Sequence, residues 1–218
     1  MPLPFSRDAF FNVFSQYHSS TWPATWIWYA AAVIAIGNFA ASSSPRPRVL
    51  LLFCGSIWLW MGLVYHWWFF SAINNAANIF AIAFVIQAGL LIRSSLLTLS
   101  PIRSSPPRRS VNAVSFAMIM YALIVYPLIG YYSHHGYPRG PILGLPCPTT
   151  ILTLALLLLL RSRYNISRWL FAIPIAWSAI GTVAAMQLEV TEDWILGVSG
   201  AVALYLTALT LPSNQMRK

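Results

Sequence analysis

Residues 49–70 read VLLLFCGSIWLWMGLVYHWWFF, a long run without a single charged side chain. A helix needs roughly 20 apolar residues to cross a hydrocarbon core about 30 Å thick, and this run is long enough. Since the lipid interior offers no hydrogen-bond partner to peptide groups, such a run is predicted to be helical. The stretch therefore predicts a transmembrane helix and indicates an integral membrane protein.

The composition of the whole chain points to the same fold class. Of its 218 residues, 58% are hydrophobic and 8% are charged, whereas soluble domains average about 45–50% apolar and about 25% charged residues. A soluble fold of this length could not bury so much apolar surface, so lipid is the expected solvent. We predict a single all-α transmembrane domain over residues 1–218, with the lipid bilayer as partner and no nucleic acid partner.

Six further apolar runs complete a predicted bundle of seven transmembrane helices. The longest break between them contains Pro101, Pro106 and Pro107, which a buried helix would not tolerate. The predicted spans cover residues 21–41, 49–70, 75–92, 111–131, 148–160, 169–186 and 194–211.

A short helix is predicted ahead of the first span. Its aromatic and aliphatic residues recur at helical spacing, and Ser6 precedes them as a candidate N-cap. Such a segment is expected to lie along the outer membrane interface. The residues that define it are Phe10, Val13, Phe14 and Tyr17.

The distribution of charge predicts the orientation. With alternating spans, all 13 Lys and Arg residues except Arg7 and Arg139 fall on one side, and all four acidic residues fall on the other. Short loops rich in Lys and Arg stay in the cytoplasm. We therefore predict that the N-terminus lies outside and the C-terminus inside.

Several functional classes lack the residues that they require. The only lysine is Lys218 in the C-terminal tail, which excludes a retinal Schiff base inside the bundle. No predicted span carries Asp, Glu, Lys or Arg, which argues against ion-coupled transporters that keep a charged group at membrane depth. The chain also has no Walker loop, His-Glu-x-x-His, Gly-x-Ser-x-Gly or Cys-x-x-Cys motif.

Polar residues gather at the predicted outer side, and His66 is the first feature that stands out there. Gly55, Gly62 and His66 share one face of their helix at spacings of seven and four. Small residues allow helices to approach closely, so this face is predicted to turn into the bundle. A structural histidine bonded to a neighbour and a ligand-binding histidine both fit the pattern.

The second feature is the stretch GPILGLPCPTT at residues 140–150. The helix between Pro148 and Arg161 covers only roughly 20 Å, so the preceding stretch is predicted to enter the membrane inside a shell of protein or water. Pro148 suits the first helical position and Cys147 the cap. We expect an inert, packed Cys147 thiol, and the free N–H groups at this helix start favour an activated thiol as the alternative.

These motifs also carry a resemblance to a known family. Residues 58–70, the Ile-Asn turn at 73–74 and the Pro-Cys-Pro-Thr-Thr motif at 146–150 resemble an uncharacterised family of small bacterial multi-pass membrane proteins, catalogued as a domain of unknown function. The likeness extends over nearly the whole chain. It implies a bacterial inner-membrane location, and it supplies no activity, substrate or catalytic residue.

Functions from three classes remain. We favour passive transport of a small neutral or anionic solute through an outward-facing polar cavity, because Pro127, Pro174 and the broken start of the fifth helix interrupt the spans. Binding or sensing of a soft metal ion or another small ligand is the alternative, since thiolate and imidazole suit copper or zinc. A membrane enzyme with Cys147 as nucleophile and His66 as base is a further alternative. A haem ligated by His66 is a fourth, and the sequence identifies no cofactor.

The candidate site joins the two features. We expect His66 and Cys147 to share one cavity with Asn78, and the exposed carboxylates of Glu192 and Asp193 to stand at its mouth. The candidate ligand-binding residues are His66, Asn78, Cys147, Thr149, Thr150, Glu192 and Asp193, and the candidate metal ligands are His66, Cys147 and His134, with His135 as the alternative to His134.

Overall fold

The structure is a computed structural model, and it describes residues 4–41, 47–102 and 109–209. Over these ranges the chain forms eight helices and no β-strand, so the all-helical prediction is confirmed. The helices are α1 (Arg7–Ser20), α2 (Ala24–Ala41), α3 (Pro47–Ala72), α4 (Ala77–Leu96), α5 (Arg109–Tyr132), α6 (Pro146–Arg161), α7 (Arg168–Leu188) and α8 (Trp194–Leu209).

Each predicted span coincides with one of the helices α2 to α8. Five of them, α2, α3, α4, α5 and α7, are long and apolar enough to cross a membrane by length and composition. α6 and α8 have 16 residues each, and the last two residues of the span predicted at 194–211 lie outside the described residues. The outer surface of the bundle is apolar as well: Ile34, Ile79 and Phe116 are 68%, 69% and 64% exposed. Lipid accounts for such a surface, whereas a soluble monomer rarely exposes large apolar patches.

α6 is the central helix of the bundle. It packs against α3, α5, α7 and α8, and nearly every side chain from Pro146 to Leu160 is buried. A helix that is apolar on all sides belongs in such an interior. Protein surrounds α6, which is shorter than the five helices long enough to cross a membrane. It begins at Pro146 with Leu145 as its cap residue, so the cap predicted at Cys147 is wrong.

Proline positions explain two irregular turns. α5 widens to π-helical winding over Tyr121–Val125, directly before Pro127, which has no N–H for the helical ladder. In α7, Pro174 leaves the carbonyl of Leu170 without its helical donor, and the Gln87 amide of α4 donates to that oxygen at 2.8 Å. α3 is also π-helical, over Met61–Phe69, although no proline lies there.

α1 forms as predicted, and the Ser6 hydroxyl accepts a hydrogen bond from the Ala9 N–H at 3.2 Å. One face of α1 is buried against the bundle. There the Tyr17 hydroxyl donates to the Gly144 carbonyl at 3.0 Å and accepts from the Trp60 indole at 2.7 Å. α1 is therefore part of the packed bundle, and its position at the membrane interface stays a prediction.

The two ends of the bundle differ in charge. At one end, called the acidic end here, Arg7 lies 3.2 Å from Glu189 and Arg139 lies 3.7 Å from Asp8. The opposite, basic end carries Arg48, Arg93, Arg109, Arg161, Arg163 and Arg168, and the predicted members Arg46, Arg103, Arg108, Arg217 and Lys218 lie outside the described residues. The sidedness in a membrane stays a prediction.

Candidate functional site

A cavity of about 460 Å³ lies near the acidic end, among α1, α3, α4, α7 and the start of α6. Ligand pockets in proteins commonly measure about 300–1,000 Å³. On α7, the lining residues Ile180 and Val183 are 46% and 56% exposed, so the cavity reaches the outside of the bundle along that helix. Its wall is mainly apolar, and besides His66 the aromatic side chains in it are Phe5, Phe10, Phe14, Tyr65, Phe70, Phe80 and Trp177.

His66 lies in this cavity wall because the small-residue face of α3 packs on α4. A Cβ atom at Gly62 would lie 3.1 Å from the Ala81 carbonyl, so the backbones are in close contact there, as the spacing predicts. The His66 ring is fully buried, with its centroid 4.4 Å from that of Phe84 and 5.2 Å from that of Trp177. Neither ring nitrogen has a hydrogen-bond partner among protein atoms. The predicted bond to a neighbouring helix is therefore absent from the described part of the chain.

Cys147 lines the same cavity in the first turn of α6. Its sulfur contacts the carboxyl group of Asp193 and the indole nitrogen of Trp177. A Cβ atom at Gly181 would be 3.6 Å from both the sulfur and the indole nitrogen. The thiol thus meets an acidic side chain and not a cation, and it forms no hydrogen bond with His66. The arrangement lacks the nucleophile–base contact that the enzyme alternative needs.

The prediction that Glu192 and Asp193 are exposed at the mouth of the cavity is wrong. Both residues are buried, with exposed fractions of 0% and 3%. The reason is the turn after α7, where Glu189 adopts the left-handed conformation with φ 55° and sends the chain back towards the bundle. A 3₁₀ turn over Thr191–Asp193 then directs both carboxyl groups inward. Only Asp193 lines the cavity.

Both buried carboxyl groups have partners from the fourth predicted span and its loop. The Nε2 atom of His135 lies 2.7 Å from Oε1 of Glu192, and the Tyr126 hydroxyl donates to Asp193. The Tyr121 hydroxyl donates to the Glu192 carbonyl at 2.8 Å. Burial raises the pKa of Asp193 to about 7, although its hydrogen bonds from Tyr126 and Cys147 act in the opposite direction.

The other predicted site residues lie away from the cavity. Asn78 is exposed at the start of α4, and Asn74 lines the cavity instead. Thr149 is buried and its hydroxyl accepts from the Gly144 N–H at 3.1 Å, which fixes the loop before α6. Thr150 is fully buried outside the cavity lining.

The predicted metal ligands do not converge. His134 is exposed on the loop after α5, with a φ of 62°, whereas its neighbour His135 turns inward. Within residues 4–41, 47–102 and 109–209, no group of three or more His, Cys, Asp and Glu side chains could hold a metal ion. The polar group that does form joins His135 to Glu192, and Asp193 to Tyr126 and Cys147.

The loop at 140–145 is non-helical and buried within protein, as predicted. Its glycines permit two features that other residues would not. A Cβ atom at Gly140 would lie 2.0 Å from the His135 carbonyl, and Gly144 has a φ of 98°. The loop therefore packs tightly under α1 and places Leu145 and Pro146 in the cavity wall.

Sequence reasoning missed Trp177 and Tyr126. Both lie in apolar spans, where an aromatic residue is usually a packing residue or an interface anchor. The sequence contained one weak signal for Trp177. It lies four residues from Gly181, just as His66 lies four residues from Gly62, and both glycines leave room for a neighbouring helix.

Comparison with known proteins gives a family and no activity. No functionally curated protein and no solved structure is significantly similar to the chain. The family of unknown function DUF6064 matches residues 7–218, and the chain belongs to that family.

Proposed function

We propose that this protein is a membrane-embedded binding protein for a small, mainly apolar molecule, which it takes up from the lipid into the cavity of His66 and Cys147. The observation that carries the proposal is the cavity itself. It combines an aromatic and aliphatic wall with a buried histidine whose ring nitrogens have no partner. Buried polar groups in proteins are generally hydrogen-bonded, so an unpartnered one in a cavity wall suggests a place for a ligand or water.

The wall also favours binding over passive transport of a polar solute. Trp58 of α3 and Phe84 of α4 are both buried, with ring centroids 4.3 Å apart, and Phe84 contacts Trp177 of α7 at 5.0 Å. The Trp58 indole donates to Thr153 of α6 at 2.9 Å, which ties the same layer to the central helix. This aromatic layer separates the cavity from the basic end. A transporter would have to open it, whereas a binding protein needs it closed.

The position of the mouth supports access from lipid. The exposed lining residues Ala179, Ile180 and Val183 all lie on α7, one of the helices long and apolar enough to span a membrane. An apolar molecule already dissolved in the bilayer could reach the wall without crossing water. We further propose that the acidic end faces outward and that the membrane is the bacterial inner membrane, in line with the charge distribution and the family resemblance.

The proposal is tested with naphthalene, an uncharged aromatic probe of suitable size. Its binding to protein in lipid nanodiscs is measured by equilibrium dialysis against nanodiscs of the same lipid without protein. We expect saturable binding by the wild type and a loss of at least about tenfold in Ala184→Phe, because this partly buried residue lines the cavity.

Ala176→Phe is the matched control, since Ala176 lies on the same helix, is exposed and does not line the cavity. Its naphthalene affinity should equal that of the wild type. Absence of saturable binding, or equal affinities of the Ala184 and Ala176 variants, would contradict the proposal. Flux of small neutral solutes into proteoliposomes, unaffected by Ala184→Phe, would instead support transport by another route.

A further inference from the structure

Two polar side chains without a strong hydrogen-bond partner line the cavity next to each other. The ring centroids of His66 and Trp177 are 5.2 Å apart at an interplanar angle of 74°, and both side chains are buried. Among the residues that the structure describes, neither ring nitrogen of His66 has a hydrogen-bond partner, and the indole nitrogen of Trp177 has only the weakly accepting sulfur of Cys147 beside it. Each residue lines the cavity. Such groups are costly to bury unless something in the cavity bonds to them.

Resting on the proposed function, we infer that the ligand is an uncharged, lipid-soluble molecule whose polar end is a carbonyl or hydroxyl oxygen held by His66 and Trp177. An indole N–H can only donate, and a neutral imidazole offers one donor and one acceptor. A carbonyl oxygen has two lone pairs and accepts from both rings. A hydroxyl accepts from the indole and donates to the imidazole. Oxygen is thus the one common polar atom that satisfies this pair in either form.

The charge of the surroundings selects an uncharged ligand. Among the residues that the structure describes, no Lys or Arg side chain lines the cavity, and Asp193 is the only lining residue with a carboxyl group. Asp193 would repel an anion and offers it no compensating cation. A cation would have to enter an apolar wall and compete for a carboxyl group already bonded to Tyr126 and Cys147.

The body of the ligand is expected to be aromatic or unsaturated. Phe70 and Phe80 contact the His66 ring at centroid distances of 6.0 Å and 5.8 Å, and Phe80 contacts Trp177 at 5.2 Å. A flat ring can pack edge-to-face or offset against these side chains, which adds to the apolar burial. The oxygen would then lie at the deep end, between the imidazole and the indole.

The test compares three probes with one ring system: naphthalene, naphthol and acetylnaphthalene, in the same nanodisc dialysis at neutral pH. His66→Phe keeps an aromatic ring against Phe84 and removes both nitrogens. We expect it to weaken naphthol or acetylnaphthalene binding about two- to tenfold relative to its effect on naphthalene binding, the worth of one hydrogen bond. Whichever oxygen probe responds identifies hydroxyl or carbonyl as the preferred group.

The outcomes separate this inference from the proposed function. If naphthalene does not bind saturably to the wild type, the proposed function fails. If naphthalene binds but His66→Phe changes all three probes equally, the oxygen site fails alone. Tighter binding of naphthoate or naphthylmethylammonium than of naphthol would overturn the uncharged ligand. Should His66→Phe lose its fold, Trp177→Phe, which removes the indole donor together with part of the ring, is compared across the same three probes, and only the difference between the oxygen probes and naphthalene reports the hydrogen bond.

Discussion

Removal of the imidazole of His135 should destabilise the protein strongly. The Glu192 side chain is 0% exposed, its Oε1 atom lies 2.7 Å from His135 Nε2, and its Oε2 atom has no hydrogen-bond partner. His135→Ala would leave this buried carboxyl group without a side-chain partner. Breaking one side of a buried pair costs about 3–5 kcal/mol. For a chain of this size each kcal/mol lowers the melting temperature by about 2–4 °C, so we expect a decrease of about 6–20 °C.

The measurement is thermal unfolding of the purified protein in detergent, followed by tryptophan fluorescence. His134→Asn is the matched control, because His134 is exposed and asparagine tolerates its left-handed backbone. Its effect should stay within about 0.5 kcal/mol. The double variant His135→Phe/Glu192→Leu replaces the whole pair by apolar side chains and should lose less stability than His135→Ala. Equal melting temperatures for His135→Ala and His134→Asn would refute the reasoning.

Three further predictions concern pH, packing and hydrogen bonding. Burial raises the folded-state pKa of Asp193 to about 7, so the stability that Asp193 contributes is fully present below the unfolded pKa near 3.9 and is lost as the pH rises to about 7. The stability of Asp193→Asn relative to wild type should therefore increase over that pH range. A constant difference between the two proteins in denaturant titrations would contradict this. Gly62→Leu should destabilise the protein by about 1–3 kcal/mol or more, because a Cβ atom at Gly62 would lie 3.1 Å from the α4 backbone. Gly37→Leu should not, because a Cβ atom at Gly37 has no heavy atom of the described residues within 4 Å. Similar melting temperatures of the two variants would disprove the close contact. Trp58→Phe should lower the free energy of unfolding by about 1 kcal/mol or more, because it removes the hydrogen-bond donor to Thr153. Thr153→Val in the Trp58→Phe background should lower it little further. Additive losses of stability in this double-mutant cycle would exclude the hydrogen bond.

The positions of the helices could be predicted from the sequence, because a segment that crosses lipid has to be both apolar and helical. Apolar runs such as residues 49–70 must be helical, and each predicted span coincides with a helix in the described residues. The face of Gly55 and Gly62 was also predictable, since small side chains mark close helix contacts. The buried loop before α6 followed from the shortness of its helix.

The polar interior could not be predicted, because its geometry depends on turns. Glu192 and Asp193 follow α7 in a short connection, where polar residues are usually solvated. The left-handed Glu189 and the 3₁₀ turn after it direct both side chains inward. The choice between His134 and His135 depends likewise on one backbone conformation, and only His135 is turned towards Glu192.

The carboxyl group beside Cys147 could not be predicted for a related reason. The free N–H groups at the helix start belong to α6 alone, while the thiol's surroundings come from α7 and the turn after it. Trp177 and Asp193 are distant from Cys147 in sequence, and nothing in the local pattern shows that they meet. A local helix effect is easily outweighed by one buried carboxyl group in contact with the thiol.

Photolabelling tests the central claim, a ligand-binding cavity at His66, most directly. An uncharged naphthyl trifluoromethyl diazirine is irradiated with the protein in nanodiscs, and the labelled residues are identified by mass spectrometry with and without excess naphthalene. The account predicts labels that naphthalene suppresses on lining residues of α3 and α7, such as Tyr65, Ile180 and Ala184, and unsuppressed labels on Ile34 of the outer surface. Labels spread over the outer surface alone, with none suppressed by naphthalene, would contradict it.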